Sequence, residues 1–153
     1  MVGSVEHLHT ELQGLPFRDP SEYPPLSVAA SGTHDTEPLV AWWDAAPQEE
    51  RHQIGELPTV HELTGGAELS DATFNPLVRD ALLEALFASG SNLLLLPIQD
   101  AFGWSDRINE PATVTESNWT FKLPWPSDRI GDMPDARERQ QALRRWAAQY
   151  GRL

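Results

Sequence analysis

The residues of this chain that are best placed to do chemistry are His34 and Asp35, within the run Thr33-His34-Asp35-Thr36. They follow a strand-like stretch of small residues, 27–31, and they precede an apolar segment that contains two tryptophans. In a β/α barrel, the C-terminal ends of the strands deliver polar side chains to the top face, where each connection to a helix begins. The sequence therefore predicts that Asp35 lies in a functional site.

A purely structural role for this pair is the alternative. Aspartate is a favoured residue at the start of a helix, because its carboxylate accepts hydrogen bonds from the free N–H groups of the first turn. His34 and Asp35 could then form an ordinary turn and helix cap. The two interpretations stay open at the level of these residues alone.

The composition is that of a soluble globular segment: of 153 residues, 40% are hydrophobic, 22% are charged and six are tryptophan. The formal net charge of −12 argues against nucleic acid and anionic membranes as partners, because their phosphates would be repelled. The longest strongly apolar stretch, residues 93–98, is much shorter than the ~20 residues of a membrane-spanning helix. We therefore predict no nucleic-acid partner and no membrane partner.

The cysteine count and the N-terminal residues favour a cytoplasmic protein. The chain has no cysteine, which removes disulfides and thiolate metal sites and is compatible with a reducing compartment. Residues 1–7 lack the basic and apolar regions of a secretory signal peptide. A cytoplasmic location is the resulting prediction.

The remaining histidines do not predict a metal site. His7 and His9 have the spacing of a metal-binding pair, but no third ligand stands nearby. His52 and His61 are expected to be solvated surface residues. The prediction for metals is none.

Turn and capping residues divide the chain into predicted elements. A strand is expected near Leu26 to Ser31, and helices are expected over 36–44 and 48–57. Gly65-Gly66 indicates a turn, and Asn75-Pro76 indicates the start of a helix whose apolar residues recur at helical spacing up to Leu86. Residues 93–98 are expected to form a strand buried on both faces, since parallel barrel strands are continuous apolar runs. The helical spacing of three tryptophans places them in the core: Trp42, Trp43 and Trp146.

These elements predict an α/β fold, namely the C-terminal fragment of a (β/α)8 TIM barrel, with about its last two β/α units. Residues 1–25 are interpreted as a crossover and loop segment that enters the barrel, and 26–153 as the C-terminal barrel portion. The latter contains a long loop on the active-site side, 99–134, and a closing helix, 135–150. A complete barrel needs about 250 residues, and two strands alone would leave exposed edges. We therefore expect an upstream barrel portion of the same protein as a partner.

Five motifs follow one another along the chain: Thr33-His34-Asp35-Thr36, Leu39-Val40-Ala41-Trp42-Trp43, Leu96-Pro97-Ile98-Gln99-Asp100, Arg107-Ile108-Asn109-Glu110-Pro111 and Asn118-Trp119-Thr120-Phe121-Lys122-Leu123. In this order they resemble the C-terminal part of a 4-α-glucanotransferase of the amylomaltase (disproportionating enzyme) family. The similarity covers roughly residues 23–125. The chain departs from the family in its length.

The resemblance implies a role for Asp35 in retaining glycosidic transfer. That reaction needs a carboxylate nucleophile and a second carboxyl group that acts as acid and then as base. The family adds a third carboxylate that holds sugar hydroxyls and favours the distorted, partly cationic ring, and Asp35 matches this third residue. His34 would bind sugar hydroxyls beside it. The nucleophile and the acid/base are expected upstream, so the isolated chain is expected to be inactive.

Other residues at the C-terminal strand ends and in the long loop are candidates for binding an α-1,4-glucan or maltooligosaccharide substrate. Asp100 could instead pair with Arg107 and set the following loop. Trp104 and Trp119 could stack on the apolar faces of sugar rings. No cofactor is predicted. The substrate-binding candidates are Thr33, His34, Gln99, Asp100, Trp104, Arg107, Asn109 and Trp119.

Three functions from different classes remain at this point. The first is a C-terminal fragment, or one piece of a split gene, of a 4-α-glucanotransferase. The second is a non-catalytic glucan-binding remnant that has kept the sugar-contacting residues. The third is a fragment of another α-amylase-like barrel enzyme with a His-Asp pair. The order of the motifs from Gln99 to Trp119 favours the first over the third.

Overall fold

A parallel three-stranded sheet organises the chain. The computed structural model describes residues 2–3 and 17–153. Within these ranges the strands are β1 (Val2–Gly3), β2 (Val28–Ala30) and β3 (Leu93–Leu95), in the spatial order β1-β2-β3. Val28 pairs with Val2 on one side and with Leu93 on the other. Each strand thus lies beside the next one in sequence, as successive strands of a β/α barrel do.

Helices follow the strands and cover one side of the sheet. Between β2 and β3 lie α1 (Leu39–Ala45), α2 (Gln48–Gly55), α3 (Pro58–Leu63) and α4 (Pro76–Phe87). After β3 come α5 (Ile98–Phe102) and α6 (Pro134–Gln149). Short 3-10 helices lie at Pro20–Glu22 and Ser127–Asp132. The predicted closing helix is therefore confirmed as α6. In the part of the chain that the structure describes, no helix is both long and apolar enough to cross a membrane.

The prediction of two strands is incomplete, because β1 lies inside the segment interpreted as a loop. It pairs with β2 over Val2 and Gly3. A strand of two residues is too short to show a hydrophobic period, so its formation depends on the partner strand. The histidines His7 and His9 lie outside the described residues.

The prediction that the leucine-rich strand is buried on both faces is wrong for the described residues. Leu93 and Leu95 are 60% and 62% exposed, whereas Leu94 packs against the cluster around Trp146. Successive side chains of a strand point to opposite faces. Helices therefore cover the face that carries Leu94, and the opposite face, with Leu93 and Leu95, is bare.

Two apolar clusters form the core behind the sheet. One centres on Trp43 and Ile54, which pack with α3 and α4, and the other centres on Leu83 and Trp146 at the contact of α4 with α6. Trp43 and Trp146 are fully buried and Trp42 is half-buried against both clusters. The prediction that these three tryptophans lie in the core is confirmed.

Local capping defines α4 as the sequence predicts. The side chain of Asn75 accepts a hydrogen bond from the Val78 N–H at 3.1 Å, and Pro76 occupies the first turn, where a missing N–H costs nothing. The predicted turn at Gly65-Gly66 is also present, with φ of 64° and 77°.

The long segment 99–134 is not one continuous loop, which corrects the prediction. It contains most of α5 and the 3-10 helix at Ser127–Asp132. Helix α5 has only five residues, and three of them, Gln99, Asp100 and Ala101, are buried. Tertiary burial stabilises this helix, and so short a run shows no helical period in the sequence.

An ion pair joins the two long helices α4 and α6. Arg139 is buried and donates to Asp80 at 2.7 Å, while Arg79 donates to the same carboxylate at 2.8 Å. Burial raises the pKa of Asp80, but the hydrogen bonds from Arg139 and Arg79 outweigh it and hold this pKa below its ordinary value. Because the pKa is depressed in the folded state, the stabilisation is present above the unfolded value and is lost as pH falls through the folded value.

We expect Asp80→Asn to lower the free energy of unfolding by about 1–3 kcal/mol at pH 7, because Arg79 loses its anion and the buried Arg139 keeps only the exposed carboxylate of Glu138. The loss should shrink at acid pH, where Asp80 is protonated in the parent as well. Denaturant unfolding at pH 7 and at acid pH measures both effects. Asp132→Asn is the control: Asp132 forms an exposed pair with Arg129, so its removal should cost less than about 0.5 kcal/mol. Equal losses in the two variants would contradict the assignment.

Candidate functional site

The turn that follows β2 presents His34 and Asp35 at the C-terminal end of the sheet. Thr36 closes this turn: its hydroxyl accepts from the Thr33 N–H at 2.8 Å and donates to the Thr33 carbonyl at 3.1 Å. A Cβ on Gly32 would lie 2.7 Å from that hydroxyl oxygen, so a side chain there would displace the turn. His34 and Asp35 are each about half exposed, at 52% of the side chain. The turn therefore holds both groups open to solvent.

The alternative that Asp35 caps a helix is wrong, although the pair does lie in a turn. The predicted helix over 36–44 begins later, at Leu39. The N–H of Leu39 donates to Asp100 Oδ1 at 2.7 Å, so Asp100 supplies the acceptor that the helix start requires. The carboxylate of Asp35 is accordingly free for other partners.

The buried side chain of Asp100, which follows β3, connects the end of β2 with the start of α1. It is buried on α5 and accepts hydrogen bonds from the Ser31 hydroxyl at the end of β2 and from Leu39 at the start of α1. Burial raises its pKa above the ordinary value, and these two hydrogen bonds offset that shift only in part. The alternative of a pair with Arg107 is not what the structure shows.

The loop after α5 approaches Asp35 from the other side. Asn109 donates from Nδ2 to Asp35 Oδ1 at 2.8 Å, and Arg107 donates to the backbone carbonyl of Asp35 at 3.3 Å. His34 Nε2 lies 3.2 Å from Asp35 Oδ2. Both oxygens of the Asp35 carboxylate are therefore oriented by neighbours, one by an amide and the other by an imidazole. The structure brings together three of the predicted residues, His34, Asp35 and Asn109, with Arg107 at the backbone.

Trp119 packs against His34 in an unusual backbone conformation. Its ring centroid lies 5.2 Å from that of His34, at an interplanar angle of 41°. The residue has φ of 64°, the left-handed region that bulky side chains rarely adopt, and its N–H donates to the Ile108 carbonyl at 2.8 Å. It is nevertheless 64% exposed. A tryptophan ring thus stands open to solvent beside the His-Asp pair.

The remaining candidates lie at or below this surface. Trp104 contacts other aromatic rings, and its closest ring neighbour is Phe102, at 4.4 Å between centroids. Gln99 is buried, and neither polar atom of its side chain has a hydrogen-bond partner in the structure. The backbone N–H and carbonyl of Thr33 bond to the Thr36 hydroxyl and so help to close the turn. Contact of Gln99, Asp100 or Trp104 with a sugar stays a prediction.

Sequence reasoning did not single out two residues that shape the site. Ser31 binds Asp100, and Asn118 braces the loop by accepting from the Glu110 N–H at 3.0 Å and donating to the Thr113 carbonyl at 3.1 Å. The available signal for Asn118 in the sequence was its position directly before Trp119. Ser31 is a small residue at a strand end, and nothing in the sequence indicated that its hydroxyl would bind Asp100 rather than simply fit the packing there.

Asp35 presents a half-exposed carboxylate at this end of the sheet. The imidazole of His34 and the amide of Asn109 contact its carboxylate, the guanidinium of Arg107 donates to its carbonyl, and its N–H donates to the Thr33 hydroxyl. Glu37 lies at the rim of the same cleft. Within the described ranges, no group of three or more His, Cys, Asp or Glu residues is arranged to hold a metal ion.

The arrangement of these elements is that of a segment of the amylomaltases. The chain superimposes with a TM-score of 0.70 on an amylomaltase from Streptococcus agalactiae solved in complex with acarbose, at 20% identity. That superposition covers 99% of this chain and 27% of the amylomaltase. An amylomaltase from Corynebacterium glutamicum gives a TM-score of 0.65 at 17% identity, over 92% of this chain and 25% of that protein. The fold class is therefore the α/β fold of these enzymes.

The sequence comparisons define the family. The profile of the 4-alpha-glucanotransferase family matches residues 4–127. The chain is 31% identical over 136 residues to the chloroplastic/amyloplastic 4-alpha-glucanotransferase of Solanum tuberosum, which covers 88% of this chain. It is 30% identical over 109 residues to the 4-alpha-glucanotransferase of Chlamydia trachomatis, over 67% of this chain. The chain belongs to the 4-alpha-glucanotransferase family.

The match is to one part of those relatives. The chain spans 21% of the length of the Solanum tuberosum protein and 20% of that of the Chlamydia trachomatis protein. Relatives occur in plant plastids and in bacteria, and a cytoplasmic location for this chain stays a prediction.

We expect Asp100→Ala to destabilise the protein by about 1–3 kcal/mol, because it leaves the start of α1 without an acceptor and the Ser31 hydroxyl without a partner. Asp100→Asn should lose less, since its amide oxygen can still accept from Leu39. Asp106→Ala, at an exposed aspartate of the following loop, is the matched control and should change the free energy of unfolding by less than about 0.5 kcal/mol. Thermal unfolding measures all three, and an Asp100→Ala variant as stable as the parent would refute this role.

Proposed function

We propose that this chain is the C-terminal part of a 4-α-glucanotransferase that transfers α-1,4-glucan segments between maltooligosaccharides. The observation that carries the proposal is the half-exposed Asp35 carboxylate, which Asn109 and His34 orient at the C-terminal end of β2 in a member of this family. A C-terminal strand end is where barrel enzymes place their reacting groups. No cofactor takes part in the proposed reaction.

Asp35 is proposed to stabilise the transition state. Retaining transfer passes through an oxocarbenium-like sugar and a covalent glycosyl-enzyme, and it requires a nucleophile and an acid/base in addition. A carboxylate that keeps its charge and its orientation stabilises the positive charge that develops on the ring. The hydrogen bond from Asn109 and the contact with His34 supply that orientation, so little reorganisation is needed during the reaction.

The surface around Asp35 suits a neutral, hydroxyl-rich ligand. His34 and Asn109 offer polar atoms beside the carboxylate, and Arg107 lies close behind them. Trp119 presents an exposed ring, and aromatic rings stack on the apolar faces of pyranoses. We therefore propose that these four residues contact the glucan, while Thr33 helps to close the turn and Asp100 holds its two ends.

The upstream barrel portion is proposed as the structural partner that supplies the nucleophile and the acid/base. The bare face of the sheet carries Leu93 and Leu95, and Leu26 before β2 is almost fully exposed. In a closed (β/α)8 barrel this face lines the interior and is filled by side chains from the other strands. The chain spans only about a fifth of the length of its relatives, and the rest of their length is sufficient to contain those strands. The chain alone is then proposed to lack the chemical step.

The test of the catalytic role is Asp35→Asn in the protein that joins this chain to its upstream portion, assayed by glucose release from maltotriose. Loss of the charge next to the developing cation should lower kcat by about 10²–10³. Asp128→Asn, at an exposed aspartate of the 3-10 helix before α6, should leave kcat unchanged. If Asp35→Asn is as active as the control, the catalytic assignment fails, and glucan binding without turnover becomes the better interpretation.

The test of the barrel is Leu95→Asp in the same joined protein. If Leu95 faces a filled barrel interior, a buried carboxylate should cost about 3–5 kcal/mol of stability or prevent folding. Val114→Asp, at a fully exposed loop residue, should be close to neutral. Denaturant unfolding and yield of folded protein distinguish the two, and a neutral Leu95→Asp would show that this face stays open to solvent.

A further inference from the structure

We propose that four aromatic side chains clamp the base of the loop that reaches Asp35, and that Trp104 is thereby a positioning residue. The aromatic clamp consists of Phe102, Trp104, Phe121 and Trp125. The site loop is the segment 105–120, which carries Arg107, Asn109 and Trp119. Any effect of this clamp on glucan transfer rests on the proposed function, whereas its effect on the loop does not.

The geometry of the aromatic clamp brings the two ends of the site loop together. Trp104 lies just before the loop and stacks on Phe102 at 4.4 Å, with an interplanar angle of 17°. Trp125 lies just after it and contacts both Phe102 and Trp104 at 5.5 Å between centroids. Phe121 contacts Trp104 at 6.3 Å. Because Phe102 belongs to α5, the clamp also fixes the loop base to the helix that carries Asp100.

The site loop needs such an anchor because little else holds it. It contains neither helix nor strand, and most of its residues are exposed. Apart from the bonds of Arg107 and Asn109 to Asp35, its hydrogen bonds to described residues are internal, such as those that Asn118 makes to Glu110 and Thr113. Ala112 and Trp119 have φ of 59° and 64°, and each left-handed non-glycine residue is strained. A loop of this kind keeps one conformation only when contacts outside it determine that conformation.

The contacts of the loop with the candidate site make its position matter. Among the described residues, the hydrogen bonds to Asp35 from outside its own turn come from Asn109 and Arg107 of this loop, and so does the ring that packs on His34. A shift of the loop base therefore moves all three groups at once. Small displacements of this kind are costly to a catalytic site.

Ring contacts distinguish Trp104 from Trp119. Phe102 covers one face of Trp104, and Trp125 and Phe121 pack at an angle against the same ring. The ring of Trp119 contacts His34, and the residue is largely exposed. Stacking on a sugar requires an open ring face, which favours Trp119 for that role and Trp104 for the clamp.

Limited trypsin digestion of the joined protein tests the clamp without reference to activity. Arg107 and Lys122 are exposed cleavage sites at the two ends of the loop, while the buried Arg139 on α6 reports global unfolding. Cleavage tracks the population of the open form when opening is fast. We expect Trp104→Ala to speed cleavage at Arg107 and Lys122 by about tenfold, with the rate at Arg139 unchanged.

Three further variants make the result decisive. Trp104→Phe keeps an aromatic ring on Phe102 and should restore most of the protection, and Trp125→Ala should loosen the loop as Trp104→Ala does. Val114→Ala, at the exposed loop tip, should behave as the parent. In the maltotriose assay, the clamp predicts a lower kcat for Trp104→Ala with a smaller change in KM.

Two outcomes would overturn the clamp. One is unchanged cleavage at Arg107 and Lys122 in Trp104→Ala and Trp125→Ala, and if KM then rises, Trp104 contacts the sugar instead. The other is an equal rise at Arg139, which would show that these rings stabilise the whole domain. Neither outcome bears on the Asp35→Asn test, so the clamp and the proposed function can fail separately.

Discussion

The buried carboxylate of Asp100 is the contact on which the site depends. One of its oxygens accepts from the Ser31 hydroxyl at the end of β2, and the other accepts from the first N–H of α1, while its own backbone belongs to α5 beyond β3. Three elements are thus fixed relative to one another by a single side chain. The turn that carries His34 and Asp35 connects two of these elements, since it runs from Ser31 at the end of β2 to Leu39 at the start of α1. The two ends of the turn are therefore fixed by this buried carboxylate, whose desolvation the hydrogen bonds offset in part.

In this arrangement one aspartate, Asp100, is buried and supports the site, and another, Asp35, is exposed. Asp100 is buried and accepts one hydrogen bond on each oxygen, whereas Asp35, on the neighbouring turn, keeps a half-exposed carboxylate with each oxygen oriented by one neighbour. The two aspartates have opposite environments although each stands at the C-terminal end of a neighbouring strand. A rigid lower layer and an accessible upper one is the arrangement that preorganised sites require.

Local signals in the sequence predict the local structure well. Asn75-Pro76 contains both the cap and the first-turn proline of α4, and the period of apolar residues in 135–150 is long enough to predict α6. The elements that sequence reasoning missed are short. β1 has two residues, α5 has five and α3 has six, and tertiary contacts stabilise them: β1 pairs with β2, and residues of α3 and α5 are buried. The exposure of Leu93 and Leu95 depends on what covers the sheet, which no residue of the strand itself encodes.

The site was predictable in its residues but not in its contacts. The motif around His34 and Asp35 and the Arg107-Asn109 motif could be found in the sequence, yet nothing in it showed that Asn109 donates to Asp35 itself. The sequence offered only Asp35 as a cap for the following helix, and nothing in it indicated that Asp100, 61 residues after Leu39, accepts from the first N–H of α1. Tertiary packing decided between them. The two tryptophans expected to stack on sugar differ in environment for the same reason: one is covered by neighbouring rings and the other is not.

The groups that meet at Asp35 lie far apart in the sequence, so the site should form late in folding. Leu39 and its acceptor Asp100 are 61 residues apart, and Asp35 and Asn109 are 74 residues apart. Contacts between distant residues form late, because the entropy of closing a long loop is lost before they contribute. Helices α1 to α4 are local and can form early, whereas the site assembles only when α5 and the segment after it have docked. During synthesis, Asp35 consequently leaves the ribosome well before Arg107 and Asn109, the residues of the later loop that bond to it.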